Sequence, residues 1–274
     1  MRGMKDEVVY RHSLAARITH WLWFVAILVL VMSGLQIFNA SPQLDASDKS
    51  DPARRVLSFD ASRDPASGFG VGTTTVAGHT FTTTNLFGYT DDGSGGRAPR
   101  AFPGWLTLPG PQDLAGGRHW HFFFGWVLTI ALVWYIVAGA IRKDLRELIV
   151  RPSDFPKLLP MQLYYLRLRK QPPPHGKYNP LQKLTYTLVL FGFIPLLIVT
   201  GLALSPGIDA MAQPLTQLLG GRQFARLWHF ALMCVIIGYF FVHMALVIIN
   251  GPVNEIRSMI TGWYRLREDD GVGV

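Results

Sequence analysis

The sequence predicts an all-α integral membrane four-helix bundle with a long extracytoplasmic loop between helices 1 and 2. Three observations predict it: four uncharged apolar stretches, a basic excess confined to particular loops, and one long polar segment between the first two stretches. The apolar stretches are residues 18–38, 122–141, 184–204 and 227–249, each of at least 20 residues without Asp, Glu, Lys or Arg. About 20 helical residues at about 1.5 Å each cross a hydrocarbon core of about 30 Å. Backbone in lipid must satisfy its own hydrogen bonds, so these stretches read as helices of a single membrane domain over 1–274.

Each element has its own reason. The first stretch is too long for a signal-peptide core and lacks a small-residue cleavage pattern after it, so it reads as retained. Residues 39–118 carry 7 Lys/Arg against 8 acids, whereas 142–183 carry 10 against 3. Basic residues gather on cytoplasmic loops, which puts 142–183 inside and 39–118 outside. Both termini then fall inside, the first with Arg2, Lys5, Arg11 and Arg17 and the second with Arg257, Arg265 and Arg267. The net charge of +8 is thus a topology signal, and nucleic acid is excluded as a partner. The lone cysteine, Cys234, excludes disulfides and thiolate metal sites.

Within the outer segment, Thr73-Thr74-Thr75-Val76-Ala77-Gly78-His79-Thr80-Phe81 reads as strand, turn, strand, a small cap too short for a catalytic domain. The run Gly68, Gly70, Gly72 lacks the strand–turn–helix context of a phosphate loop. Pro195 should kink the third helix, and residues 208–219 should lie along the interface.

Function is carried by histidines. Of eight, His20, His121, His229 and His243 lie in or at the edge of the spans, where ionisable groups are costly and usually functional. His229 and His243 are 14 residues apart on one helix, nearly four whole turns, so they share a face at depths about 21 Å apart. With the sidedness above, His20 matches His243 near the inner surface, and His121 or His119 matches His229 near the outer one. Imidazoles from two helices can hold a haem between them. His119 and His121 point about 200° apart, and the deeper His121 is the better ligand. A lone membrane histidine is as readily a helix-packing residue, but four at two matched depths, with no charged partner in any span, are harder to explain that way. His12, His79 and His175 read as loop residues. Carboxylates, which a proton channel would want, are absent from the spans.

These residues resemble a known family: the di-haem cytochrome b subunits of bacterial nickel–iron hydrogenases, formate dehydrogenases and thiosulfate reductases. The resemblance rests on Arg17-Ile18-Thr19-His20-Trp21, Trp120-His121-Phe122, His229 and His243, and spans all four helices. A closer likeness is to a branch accompanying periplasmic molybdopterin oxidoreductases, on Met32-Ser33-Gly34-Leu35-Gln36-Ile37-Phe38, Gly220-Gly221-Arg222-Gln223 and 254–262. That branch carries Asn-Ala-His-Pro after the first helix, where this chain has Asn39-Ala40-Ser41-Pro42, which puts any role of that loop histidine in doubt.

The resemblance implies two six-coordinate haem b groups that pass electrons between a periplasmic redox partner and ubiquinone or menaquinone. Arg17, Arg118, Arg222 and Arg226 stand at the membrane edges as candidates for haem propionates, with interfacial snorkelling the alternative. Tyr10, His12, Asn250 and Glu255 are the polar candidates for quinone. A stand-alone quinone-linked enzyme, such as a superoxide oxidase with Arg97, Arg100 and Arg118 steering the anion, is the competing reading. A haem-free scaffold or transporter is the third.

Overall fold

The computed structural model describes residues 7–266. Arg2, Lys5 and Arg267, used above for sidedness, lie outside the described residues. Four helices are long and apolar enough to cross a membrane: α1 (Leu14–Phe38), α2 (Leu114–Ile141), α3 (Pro180–Leu204) and α4 (Arg222–Ile249). This is a multi-pass membrane protein. Each helix starts upstream of its uncharged stretch, because a helix needs only lipid-compatible residues within the core and can carry polar ones into the interface. The start of α3 shows the local logic. Asn179 accepts from the Gln182 N–H, Gln182 accepts from the Asn179 N–H, and Pro180 occupies the first turn, where no N–H is needed.

The kink expected at Pro195 takes a more specific form. Residues Val189–Phe193 form a π-helical turn inside α3. Proline lacks the N–H that would bond Phe191, and its ring crowds that carbonyl, so the helix widens by one residue just before it. Residues 208–219 fold as two short helices, Pro206–Met211 and Gln213–Leu218.

The all-α expectation needs correction. The helices are joined by eight short strands among the described residues: β1 (Val8–Tyr10), β2 (Gln43–Asp45), β3 (Arg55–Arg63), β4 (Gly70–Val76), β5 (His79–Thr82), β6 (Gly88–Asp91), β7 (Arg97–Arg100) and β8 (Trp263–Arg265). The segment between α1 and α2 is therefore a built cap, with an antiparallel sheet in the order β2-β3-β4-β5 beside a β6-β7 hairpin. The hairpin expected over 73–81 is β4-β5, with Val76 opposite His79. The glycine run has a packing role. A Cβ on Gly72 would stand 2.1 Å from the Phe87 carbonyl, and one on Gly70 would enter the Tyr89 ring. Only glycines let β6 cross β4 this closely.

The described residues fall into two compact units. One comprises 23–129 and 196–234 and includes the cap; the other comprises 7–22, 130–195 and 235–266. In the first, Phe38 at the end of α1 packs against Phe59, Phe102 and Phe230 with ring centres 6.0, 5.7 and 5.0 Å away. Leu35, Leu44 and Ala101 complete this buried cluster, which roots the cap on α1 and α4. In the second, β1 and β8 pair antiparallel, and Tyr10 meets the Trp263 ring edge-on at 5.3 Å.

The cap also holds a buried ion pair. Arg55 Nε donates to Asp45 Oδ1 at 3.0 Å, and the Ser50 hydroxyl and Asp51 N–H donate to Oδ2, each at 3.0 Å. Burial alone would raise the Asp45 carboxyl, but these donors outweigh it and hold it below the usual 3.8. A depressed carboxylate stabilises the fold above its unfolded value and loses that contribution as pH falls through the folded one. Thermal melting should therefore show the cap weakening below about pH 3.8. Asp45→Asn should melt lower at pH 7, by about 1–3 kcal/mol, with a smaller further loss at pH 3. Equal acid sensitivity in both proteins would count against this assignment.

Candidate functional site

The four helices bring the span histidines together in two pairs. In the unit bearing the cap, His121 of α2 faces His229 of α4 with ring centres 6.1 Å apart. In the other unit, His20 of α1 faces His243 of α4 at 6.2 Å. Two imidazoles bound to one metal from opposite sides, each with its nitrogen about 2 Å away, have ring centres roughly 6 Å apart. Both spacings match that figure. Among the described residues no group of three His, Cys, Asp or Glu gathers to hold a metal. A metal held at either pair thus takes its remaining ligands from elsewhere, which a porphyrin's four nitrogens supply.

The His121/His229 pair has a worked surround. A Cβ on Gly34 of α1 would stand 3.2 Å from His121 Cε1, and one on Gly201 of α3 would stand 3.1 Å from His229 Cε1. Each ring edge therefore rests on a glycine shelf. Beside each shelf is a hydroxyl: Ser33 Oγ lies 3.1 Å from His121 Nδ1, and Thr200 Oγ1 lies 3.0 Å from His229 Nδ1. Sequence reasoning missed these four residues as part of the site. The available signal was a hydroxyl residue followed by glycine, once in the first span and once in the third.

The His20/His243 pair is set among rings instead. Trp21 meets His20 edge-on at 5.3 Å, and Tyr239 stacks on His243 at 5.8 Å. His20 Nδ1 is buried with no hydrogen-bond partner, and so is Arg17 Nε one turn earlier. Orphaned buried donors next to a histidine pair fit a bound group with acceptor oxygens, such as a haem propionate.

The remaining site candidates are distributed as follows. Arg17 Nη1 donates to the Ile260 carbonyl at 2.5 Å. Arg118 lies over the Phe122 ring at 5.7 Å. Arg222 bonds the Leu204 carbonyl at 2.9 Å and pairs with Asp209 at 3.4 Å. Arg226 lies over Phe38 and bonds both the hydroxyl and the carbonyl of Ser41, so the serine at the Asn-Ala-His-Pro position holds this arginine. His119 is exposed, His79 is an exposed strand residue, and neither faces another histidine. Arg100, a candidate for steering an anion, is only 5% exposed. Its Nη1 and Nη2 donate to internal acceptors, so the buried group cannot steer anything in solvent.

Tyr10, Asn250 and Glu255 line one cavity of about 760 Å³, together with Arg11, Tyr165 and Tyr264. His12 lines a different, water-sized cavity of about 30 Å³ with Tyr178 and Asp144. Burial first, and then the charges of Arg11 and Lys177, push His12 down to about 3. It is neutral at physiological pH and accepts protons poorly. The quinone candidates thus divide between two cavities.

A family model described as prokaryotic cytochrome b561 matches residues 11–262. The chain belongs to this family. It is therefore a membrane haem protein of the b type, and its four apolar helices are those of a cytochrome b561-family fold. Among curated proteins it is similar to a putative protein-methionine-sulfoxide reductase subunit YedZ1 of Azospira oryzae, at 26% identity over 89% of this chain and 93% of that one. It is also similar to a putative cytochrome YdhU of Escherichia coli strain K12, at 34% identity over a third of each chain. The residues present fit the haem that the family implies: imidazoles in facing pairs, glycine shelves beneath one pair, and unpaired buried nitrogens beside the other.

Proposed function

We propose that the chain is a di-haem membrane cytochrome, a single domain over 1–274, that passes electrons between the quinone pool and a redox enzyme docked outside the membrane. The observation that carries this reading is the pair of facing imidazoles at 6.1 and 6.2 Å, each joining two helices. His121 and His229 are the axial ligands of one haem, and His20 and His243 those of the other. Six-coordinate haem exchanges electrons without binding substrate at iron, and its potential is tuned by ligands, burial and nearby charge. Arg17 is the best placed of the four arginines to meet a propionate, because its Nε has no internal partner. Ubiquinone or menaquinone enters the cavity lined by Tyr10, Asn250 and Glu255, whose volume suits a ring with polar substituents. His12 takes part only as a neutral group beside it.

The similarity to a protein named as a methionine-sulfoxide reductase subunit favours transfer from quinol to the partner, since a reductase consumes electrons. That partner is a molybdopterin or other redox protein at the outer, periplasmic face of the inner membrane, with both chain termini cytoplasmic. The test is spectroscopic. Purified protein should show a b-type α-band and two haems per chain, and a quinol should reduce both in membranes. Absence of the α-band would sink the reading, and haem that quinol cannot reduce would sink its quinone half.

A further inference from the structure

The two hydroxyls beside the His121/His229 pair have proton budgets that can be closed. A serine or threonine hydroxyl carries one proton. Ser33 Oγ lies 2.6 Å from the Val29 carbonyl and 3.3 Å from that of Leu30. Thr200 Oγ1 lies 2.8 Å from the Leu196 carbonyl and 3.0 Å from that of Leu197. Two oxygens at such separations repel unless a proton stands between them, and a carbonyl has none to give. Each hydroxyl proton is therefore spent on its own helix, four residues back. What each hydroxyl can still offer the neighbouring histidine is a lone pair. The hydroxyl beside each Nδ1 is thus an acceptor, so Nδ1 carries the proton and Nε2 presents a bare lone pair.

We infer that Ser33 and Thr200 are matched positioning residues that fix the tautomer, orientation and basicity of the two imidazoles of this one haem site. The inference rests on the assignment of His121 and His229 as axial ligands and goes beyond it. The device occurs twice, on different helices. Ser33-Gly34 on α1 seats His121, and Thr200-Gly201 on α3 seats His229, with the glycine receiving the ring edge and the hydroxyl receiving the N–H. It is not used at the other pair, where His20 Nδ1 has no partner and aromatic rings flank both imidazoles. An accepted Nδ1–H makes the imidazole a stronger donor to iron and so favours the ferric form, which lowers the potential.

The test uses the full-length protein in detergent or nanodiscs, with haem redox titration and electron paramagnetic resonance of the oxidised form. Ser33→Ala and Thr200→Val should keep two haems per chain, because both imidazoles of the site are still present. They should raise the midpoint potential of one haem and change its low-spin ferric signal, while the other haem stays unmoved. Ser33→Thr and Thr200→Ser, which retain the hydroxyl, should restore the native values. Potentials and signals unchanged in Ser33→Ala and Thr200→Val would overturn the inference, and so would equal shifts in the hydroxyl-retaining variants. If Thr200→Val sheds haem, the comparison rests on Thr200→Ser, which must keep both haem and native potential. Failure of the ligand assignment is separate and shows itself otherwise: His229→Ala would then retain both haems.

Discussion

Replacing His229 with alanine should lower the haem content from two per chain to one, and replacing His243 should remove the other. On the proposed pairing each histidine would supply one of two bonds to iron, and a site between two helices would lose its clamp when either bond goes. His121→Ala should give the same surviving spectrum as His229→Ala, and His20→Ala the same as His243→Ala, because partners empty one site. The double variant His229→Ala/His243→Ala should carry none. His119→Ala should keep both haems, since His119 is exposed and faces no other histidine. The measurement is a pyridine haemochrome assay per mole of chain, with reduced spectra to identify the survivor. Two haems per chain in any single-histidine variant would break the pairing at that site.

Most of this was legible in the sequence for one reason: lipid removes choices. A backbone in hydrocarbon must be helical, so 20 uncharged residues determine an element without reference to its neighbours. Likewise 14 residues between His229 and His243 determine a shared face by helix geometry alone. Where water is present, the choices return. Strand β3 over Arg55–Arg63 pairs with β2 and β4, and its register depends on partners up to 19 residues away, from Leu57 to Val76 and Arg63 to Gly70 in one ladder. Periodicity within 39–118 could suggest the β4-β5 hairpin, whose strands are adjacent, but not the sheet that receives it. The seats for the histidines were hidden for a different reason. Ser33 and Thr200 look like ordinary small residues of apolar helices, and only the approach of a second helix reveals what their lone pairs face. Arg100 was misread because a charge in a polar loop looks solvated until its acceptors are seen.

Those acceptors make Arg100 the residue on which the cap should depend most. Nη1 donates to the carbonyls of Asp92 at 2.8 Å and Gly110 at 3.0 Å. Nη2 donates to Thr107 Oγ1 at 3.0 Å and to Gln36 Oε1 at 3.2 Å. One planar fork thus ties together the β6-β7 turn, the segment leading to α2, and the last turn of α1. Gln36 is itself fully buried and donates to the Pro111 carbonyl at 2.5 Å, so the network closes on α1 from both sides. Arg100→Ala removes a donor from four acceptors at once and leaves a cavity among them; the Gly110 carbonyl and Gln36 Oε1 keep other donors in Thr107 and Asn39. At about 1–3 kcal/mol for each acceptor left unpaired, a loss of about 2 kcal/mol or more follows. Arg100→Lys keeps the charge but offers a point donor that cannot span both pairs of acceptors, so its cost should fall between wild type and alanine. Limited proteolysis should read this as cleavage within 88–112 at protease levels that leave wild type intact, in the order alanine, lysine, wild type. The His20/His243 pair belongs to the other compact unit, so the haem proposed there should persist in both variants. If alanine proves as resistant as wild type, the guanidinium is not what holds the cap to the end of α1.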